Sequence, residues 1–146
     1  MDYLQSALLP RDPIIHLAIL REPYLTYILE GKKPIESRFT QVKCPPWNQV
    51  QSGDIIYLKK SGGLIVGKAI AERVKYVKIT PENYTSIVNQ YRDQLCITDE
   101  FILEKRKSKY LTLIWLISVE RLTNPIAFVQ KGQMAWIVGY CPPSMM

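Results

Sequence analysis

The chain has 146 residues, of which 47% are hydrophobic, so it has the length of one domain and enough apolar material for a core. Disordered and fibrous classes are excluded. The longest unbroken apolar run, residues 113–117, is far below the roughly 18 residues that a membrane-spanning helix needs. The N-terminus lacks the basic-then-apolar layout of a secretory signal. We therefore expect a single domain over residues 1–146, located in the cytoplasm and without a membrane partner.

The net charge and the numbers of histidines and cysteines limit which partners and cofactors this chain can bind. The 19 Lys and Arg against 13 Asp and Glu give a formal net charge of +6, which favours RNA or DNA as a partner and is also common in small domains for solubility alone. The single histidine, His16, excludes a multi-histidine metal site, and three widely spaced cysteines suit neither a disulfide framework nor a metal clip. We expect reduced thiols, no metal and no cofactor.

In chain order, the first predicted element is a strand over 14–20, in which His16 lies between apolar neighbours and is predicted to be a satisfied core histidine. A short helix follows Pro23, carries an apolar stripe and ends at Gly31. Residues 34–40 then alternate as a strand, with Glu36 and Arg38 on one face.

A Pro-rich connection and the turn signal Ser52–Gly53–Asp54 lead to a strand over 55–58. The Gly62–Gly63 pair turns the chain into a long strand from residue 64 to about residue 79. The alternation of this strand changes phase near Glu72–Arg73, which predicts a bulge or a bend.

The second half opens with a helix start at Thr80–Pro81–Glu82, followed by an apolar stripe at helical spacing up to residue 95. A short helix is predicted from Thr98, before the basic cluster of residues 105–109. The strand over 111–119 has one strongly apolar face that places Trp115 in the core, and a last strand is predicted over 134–140. Five or six strands with two or three helices, without strict strand–helix alternation, predict an α+β fold built on a small, curled, mixed sheet.

The segment from Gly31 to Arg38 carries the most informative polar residues. Glu36 and Arg38 share a strand face about 7 Å apart, at roughly 3.3 Å per residue, so their side chains can meet. One interpretation is an exposed ion pair of little energetic consequence, with Lys32 and Lys33 as solvated charges at the helix end. The other is a shared hollow that contains Glu36 and Arg38, with Lys33 leaning over its rim.

Several short motifs occur together in this part of the chain. Pro23–Tyr24, the sequence Gly-Lys-Lys-Pro-Ile-Glu-Ser-Arg over 31–38, Gly53–Asp54 and a returning strand with Gly67 follow one another in order. Over residues 14–79 this pattern resembles the ASCH domain. The resemblance implies a PUA-like pseudobarrel, whose relatives bind RNA or hold a modified base in a pocket, and it implies that Lys33, Glu36 and Arg38 line the family's cleft.

Those residue types suit a nucleotide. Arginine and lysine hold phosphate or a base edge, a glutamate accepts from an exocyclic amine, and an aromatic ring stacks on a base. The resemblance places Tyr24 beside the motif, which makes it the first candidate for stacking; the other candidates are Trp47, Trp136 and Tyr140, and the alternative for each is a place in the core or in a hairpin. The predicted ligand-binding set is Tyr24, Lys32, Lys33, Glu36 and Arg38, and the basic cluster at 105–109 either extends this footprint or is a solvated loop.

The leading functional hypothesis is an RNA- or nucleotide-binding module. The first alternative is an enzyme that uses Lys33 and Glu36 as catalytic residues in the same cleft. One such enzyme is a nucleoside amidohydrolase acting on acetylated cytidine, although Glu36 stands where that branch of the family carries threonine. The other is a metal-independent ribonuclease, in which Lys33, Arg38 and a tyrosine stabilise charge on phosphate. The second alternative is a protein–protein adaptor that uses an aromatic-rich surface.

Overall fold

A computed structural model describes residues 11–145; the predicted absence of a secretory signal concerns residues outside this range. The elements in chain order are β1 (Ile15–Leu20), α1 (Tyr24–Leu29), β2 (Ile35–Thr40), β3 (Ile55–Lys60), β4 (Ile65–Lys78), α2 (Tyr84–Leu95), α3 (Asp99–Glu104), β5 (Tyr110–Ile126), β6 (Trp136–Val138) and a final 3₁₀ turn (Pro143–Met145). No helix in this range has the length and hydrophobicity that a membrane span requires.

The six strands form one mixed sheet in the order β2-β5-β4-β3-β1-β6. Strands β1 and β3 are parallel, and all other neighbours are antiparallel. The sheet curls so far that its two ends approach each other: Arg38 of β2 donates hydrogen bonds to the carbonyls of Ile19 in β1 and Ala135 beside β6. The structure thus confirms the predicted α+β class, with six strands and three α-helices in a half-open barrel.

Three apolar clusters cover this sheet: a small one around Tyr57 and Tyr140, and two larger ones on opposite faces of the sheet. The inner one lies inside the curl and includes Ile56, Ile114 and Trp136. The outer one packs α2 against β2 and β5 through Val88, Leu95 and Leu113 among others. Because β5 is covered on both faces over its first half, it occupies the centre of the fold, as its long apolar run predicts.

Two features of β4 follow directly from its sequence. The phase change near Glu72–Arg73 is confirmed as a shift of register between Ala71 and Arg73 in the pairing with β5. Gly67 allows close packing, because a Cβ at that position would lie 2.7 Å from Leu29 Cδ2 and 3.0 Å from the Glu120 carbonyl oxygen. The glycine therefore lets α1 lie directly on the sheet.

Three of the elements whose boundaries differ from the sequence prediction are instructive. Helix α2 begins at Tyr84, because Thr80 and Asn83 exchange two hydrogen bonds and close a separate turn before it. Strand β5 continues from residue 119 to residue 126, where it pairs with the start of β4 and is mostly exposed, so this half has no apolar alternation to reveal it. Strand β6 is limited to Trp136–Val138.

Trp115 packs against the outer apolar cluster, as its predicted core position requires, but it lies at the edge of that cluster and not inside it. Its ring is only partly buried, the Arg73 guanidinium lies 3.8 Å from its centre, and Tyr91 packs against it edge to face. The bulge at Ala71–Arg73 puts Arg73 opposite Trp115 in the β4–β5 pairing. A long charged side chain therefore covers the part of this ring that the outer cluster leaves open.

His16 is the satisfied core histidine that the sequence predicts. It is completely buried, it accepts a hydrogen bond at Nδ1 from the Trp136 indole at 3.0 Å, and its Nε2 lies 2.8 Å from Asp54 Oδ2. Because an indole only donates, the imidazole proton is on Nε2 and points at Asp54. Arg11 completes this closed cluster of Arg11, His16 and Asp54 with two hydrogen bonds of 2.8 Å to the same carboxylate.

Candidate functional site

A cavity of about 540 Å³ lies where the two ends of the curled sheet approach each other. Its floor is formed by β1 and β2, one wall by Tyr24 and α3, and another by the loop over 130–135. The volume falls within the range of roughly 300–1,000 Å³ that is typical of small-molecule sites. Lys33, Glu36 and Arg38 all line it, so the structure brings the central residues of the predicted set together around one space.

Arg38 holds this end of the barrel closed. Its Nη2 donates to the Ile19 carbonyl at 3.0 Å and to Glu36 Oε2 at 2.9 Å, Nε donates to the same carboxylate oxygen at 3.1 Å, and Nη1 donates to the Ala135 carbonyl at 3.1 Å. The guanidinium carbon also lies 5.3 Å from the centre of the Trp136 ring. A guanidinium has five N–H groups, so one, on Nη1, remains for a ligand.

Glu36 is held in one orientation by its neighbours. Its Oε2 accepts both bonds from Arg38, while Oε1 accepts from the Ser37 backbone N–H at 3.0 Å and lies 3.7 Å from Lys33 Nζ. The residue is 5% exposed, so the carboxylate meets solvent only through the cavity. A fixed, charged acceptor at the bottom of a cavity suits recognition of an N–H donor on a ligand.

Lys33 lies in the floor of the cavity, which corrects the expectation that it leans over the rim or is solvated. It is 2% exposed, and Nζ donates to the Leu95 carbonyl, the last of helix α2, at 2.8 Å. Nζ also lies 5.4 Å from the centre of the Tyr24 ring. Burial lowers the pKa of Lys33, the Glu36 carboxylate raises it, and Arg38 lowers it further. The ammonium keeps donor capacity beyond the bond to Leu95.

An aromatic wall faces this charged floor. The Tyr24 ring packs edge to face on Phe101 of α3 at 5.7 Å between ring centres, and Phe101 packs in the same way on Phe39. Burial raises the pKa of the Tyr24 hydroxyl. Within residues 11–145 neither that hydroxyl nor the hydroxyl of Ser37, which also lines the cavity, has a hydrogen-bond partner, so both are available to a ligand.

The mouth of the cavity carries the remaining charges. Arg21 and Glu104 approach each other to 3.9 Å, both well exposed, and Lys105 stands beside them. A loose surface pair of this kind contributes little to stability, about 1 kcal/mol at most. Arg21 and Lys105 can therefore turn toward an anion outside the cavity, and Lys105 is the one member of the basic cluster that lines it.

The structure places Lys32 outside this cavity. Its Nζ pairs with Glu30 at 3.3 Å, lies over the Tyr27 ring and borders a separate shallow groove. Of the other proposed stacking residues, Trp136 is buried beneath Arg38, and Tyr140 packs between Tyr57 and Phe128. Only Tyr24 lies at the cavity.

Several cavity residues were not found from the sequence. Ser37 sits between Glu36 and Arg38 in a strand, so the alternation assigns it to the opposite face; it reaches the cavity because β2 is an edge strand. Phe101 has a signal, since the Thr98 side chain accepts a bond from its N–H and thereby fixes the start of α3. The loop over 130–135 has no periodicity that could place it.

Within the described part of the chain, no three His, Cys, Asp or Glu side chains come together as a metal site requires. The cavity offers one fixed carboxylate, one buried ammonium, one constrained guanidinium, two free hydroxyls and aromatic rings. Such a set can bind and orient a planar, partly polar molecule by hydrogen bonds and stacking.

Comparison with known proteins identifies the fold. No family model and no curated protein matches the sequence. Among solved structures, a serine-to-alanine variant of the ASCH protein from Zymomonas mobilis has a TM-score of 0.66 at 16% identity, covering 87% of this chain and 89% of that one. The ASCH structure from the same organism has a TM-score of 0.61 at 15% identity, over 79% and 74% of the two chains. A tyrosine-to-phenylalanine variant gives 0.60 at 15% identity, over 77% and 74%. The chain therefore has the ASCH fold.

Proposed function

We propose that this chain is an RNA- or nucleotide-binding module whose cavity receives one nucleobase, with the attached phosphate at the mouth. The observation that carries the proposal is the cavity floor, where the fixed Glu36 carboxylate lies between the Lys33 ammonium and the Arg38 guanidinium. The ASCH fold and the formal charge of +6 support the choice of a nucleic acid over other planar ligands.

Each group has a defined part in the proposed complex. The Glu36 carboxylate accepts from an exocyclic amine or ring N–H of the base, and the spare hydrogens of Lys33 and of Arg38 Nη1 donate to its carbonyl or ring nitrogen. The wall of Tyr24 and Phe101 stacks on the base. Arg21 and Lys105 hold the phosphate at the mouth, where its charge remains solvated.

A second candidate function is hydrolysis in the same cavity. The observation in its favour is the buried Lys33, whose pKa is lowered by burial and whose Nζ lies 3.7 Å from Glu36 Oε1. A lysine with a lowered pKa acts as a general base when it loses its proton near neutral pH. The nearby carboxylate works in the opposite direction by stabilising the ammonium. Turnover of acetylated cytidine or labelled RNA that disappears in Lys33→Gln would establish this function.

The binding proposal is tested with two neighbouring lysines that the fold separates. Lys33→Gln replaces the buried ammonium in the cavity floor, and Lys32→Gln makes the same change at an exposed position outside it. We expect Lys33→Gln to weaken binding of a short single-stranded RNA about tenfold or more at low salt, since it removes a charged donor. Lys32→Gln should stay within about twofold of the original chain.

Circular dichroism and thermal unfolding confirm that both variants fold. Equal affinities of the two folded variants, or no binding of RNA or nucleoside monophosphates by the unchanged chain, would contradict the proposal. Binding of a protein partner that persists after nuclease treatment, without any RNA binding, would support an adaptor instead.

A further inference from the structure

A second group of aromatic and basic residues lies at the far end of β2. The Trp47 ring packs against Tyr110 at 5.0 Å between ring centres, and Lys43 Nζ lies 5.8 Å from the centre of the Tyr110 ring. Lys43 is exposed, and both rings are partly exposed. We name these three residues, Lys43, Trp47 and Tyr110, the Trp47 platform.

The strand register connects this platform to the cavity. Thr40 lines the cavity and pairs with Tyr110 across β2 and β5. Since side chains alternate along a strand, Thr40 shares a face with Glu36 and Arg38, and its partner Tyr110 shares the same face of the sheet. The platform therefore begins directly beside Thr40, which is the cavity residue at the end of β2.

The platform also has polar groups without a hydrogen-bond partner, and its charged residues are all basic. Among residues 11–145, neither the Trp47 indole N–H nor the Tyr110 hydroxyl has a hydrogen-bond partner. The two segments that build the platform, residues 41–50 and 105–110, contain basic residues and no acidic ones. Lys109 is exposed next to Tyr110, and its backbone N–H donates to the Thr40 carbonyl at 2.8 Å. Aromatic rings beside lysines without carboxylates are the surface that single-stranded nucleic acids use.

We propose that the Trp47 platform binds the nucleotide next to the one held in the cavity, so that the ligand is a single-stranded oligonucleotide and not a free nucleotide. This inference rests on the proposed function of the cavity. The base stacks on the rings of Trp47 and Tyr110, and Lys43 neutralises the adjoining phosphate. Thr40, between the two positions, marks the path of the backbone.

The test compares a hexanucleotide of single-stranded RNA with a nucleoside monophosphate of the same base. The variants are Trp47→Leu, which removes the stacking ring, and Lys43→Gln, an exposed change that leaves the packing of Trp47 intact. Lys68→Gln is the matched control, because Lys68 on β4 is a partly exposed lysine that pairs with Glu120 on β5 and does not belong to the platform. Binding is measured over a range of salt concentrations, and thermal unfolding confirms that each variant folds.

We expect the unchanged chain to bind the hexanucleotide at least tenfold tighter than the monophosphate. Trp47→Leu should remove about tenfold of hexanucleotide affinity and leave the monophosphate affinity unchanged. Lys43→Gln should lower the slope of log affinity against log salt by about 0.7, the value for one phosphate contact on a single strand. Lys68→Gln should change neither quantity.

Two results overturn this inference while the cavity proposal stands. One is a hexanucleotide that binds no tighter than the monophosphate; the other is unchanged hexanucleotide affinity and salt slope in both platform variants. Loss of monophosphate affinity in a folded Trp47→Leu also overturns it, since the ring would then act on the cavity. Failure of the cavity proposal gives a different pattern, in which neither ligand binds or Lys33→Gln leaves both affinities unchanged.

Discussion

Among residues 11–145, two charge clusters are built around a buried carboxylate, and they have similar composition and opposite character. The cavity cluster consists of Lys33, Glu36 and Arg38; the closed cluster consists of Arg11, His16 and Asp54. In the closed cluster the Asp54 carboxylate accepts five hydrogen bonds, two from Arg11, one from His16 and two from the backbone N–H groups of residues 14 and 51. In the cavity cluster, Lys33 and Arg38 keep hydrogens that no described residue accepts.

The difference shows that residue type does not by itself separate a structural ion cluster from a binding site. Both clusters have a carboxylate between cationic or imidazole partners, and in both the carboxylate is buried. The closed cluster uses its hydrogen-bonding capacity inside the fold and joins the chain before β1 to the start of β3. The cavity cluster faces a space of about 540 Å³ and keeps hydrogen-bond donors that the fold does not use. We expect a charge cluster that faces an open cavity to bind a ligand, and we expect a charge cluster without such a cavity to stabilise the fold.

The largest effect should come from breaking the closed cluster. Asp54→Asn removes the charge that Arg11 and His16 face, and disruption of a buried ion pair costs about 3–5 kcal/mol of the free energy of unfolding. We expect a loss near the lower end of that range, because Arg11 is partly exposed. Denaturant unfolding measures it. RNA affinity of the folded variant should not change, and a large loss of affinity with little loss of stability would reverse the roles of the two clusters.

Lowering the pH should weaken the closed cluster. The hydrogen bonds to Asp54 from Arg11, Gln51, His16 and Ile14 lower its pKa to about 2, against an ordinary 3.8, despite the opposing effect of burial. The unfolded chain therefore binds this proton more tightly, and about 2 kcal/mol of stability, present above pH 4, is lost between about pH 4 and pH 2.

His16 adds a second step in the same direction. Burial lowers its pKa, so its contribution to stability is full above about pH 6.5 and declines as the pH falls below that value. Unfolding free energies measured from pH 7 to pH 2 should decline in both windows. In Asp54→Asn the decline between pH 4 and pH 2 should become shallower; an unchanged profile in that variant would show that Asp54 does not carry it.

The smallest effects are expected at two serines, of which one has a hydroxyl that is hydrogen-bonded within the fold and the other has a hydroxyl that is not. Ser52 donates to the Glu72 carbonyl at 2.6 Å, whereas the hydroxyl of Ser37, a residue that lines the cavity, has no hydrogen-bond partner among residues 11–145. Ser52→Ala should cost about 1 kcal/mol of unfolding free energy and leave RNA affinity unchanged. Ser37→Ala should leave stability within about 0.5 kcal/mol and weaken RNA binding a few-fold. If Ser37→Ala costs stability and spares binding, its hydroxyl serves the fold and not a ligand.

The sequence predicts those parts of the site that local periodicity controls. Glu36 and Arg38 share a face because a strand has a period of two residues, and this holds in any fold that keeps the strand. The burial of Lys33 could not be predicted, because it depends on the carbonyl of Leu95, 62 positions away in the chain. The burial of Asp54 could not be predicted for the same reason. A Gly-Asp turn normally lies in solvent, and only the approach of Arg11 and His16 buries this one.

The same limit applies to the fold. Element types follow from periodicity, and the bulge in β4 follows from a change of phase. The second half of β5 depends on a partner strand and not on its own pattern. The contact between the two ends of the curled sheet is made by Arg38, whose bonds to Ile19 and Ala135 join segments that no local signal connects.

The most direct test of the central claim is a nuclear magnetic resonance titration of the ¹⁵N-labelled chain with a nucleoside monophosphate. If the cavity binds a nucleobase, the backbone amide signals of Ser37, Arg38 and Phe101 should shift in a saturable way, while those of Asp54 and Ile55 in the closed cluster region stay in place. The opposite pattern, or shifts that do not saturate and spread over the exposed lysines, would contradict the claim that the cavity is the binding site.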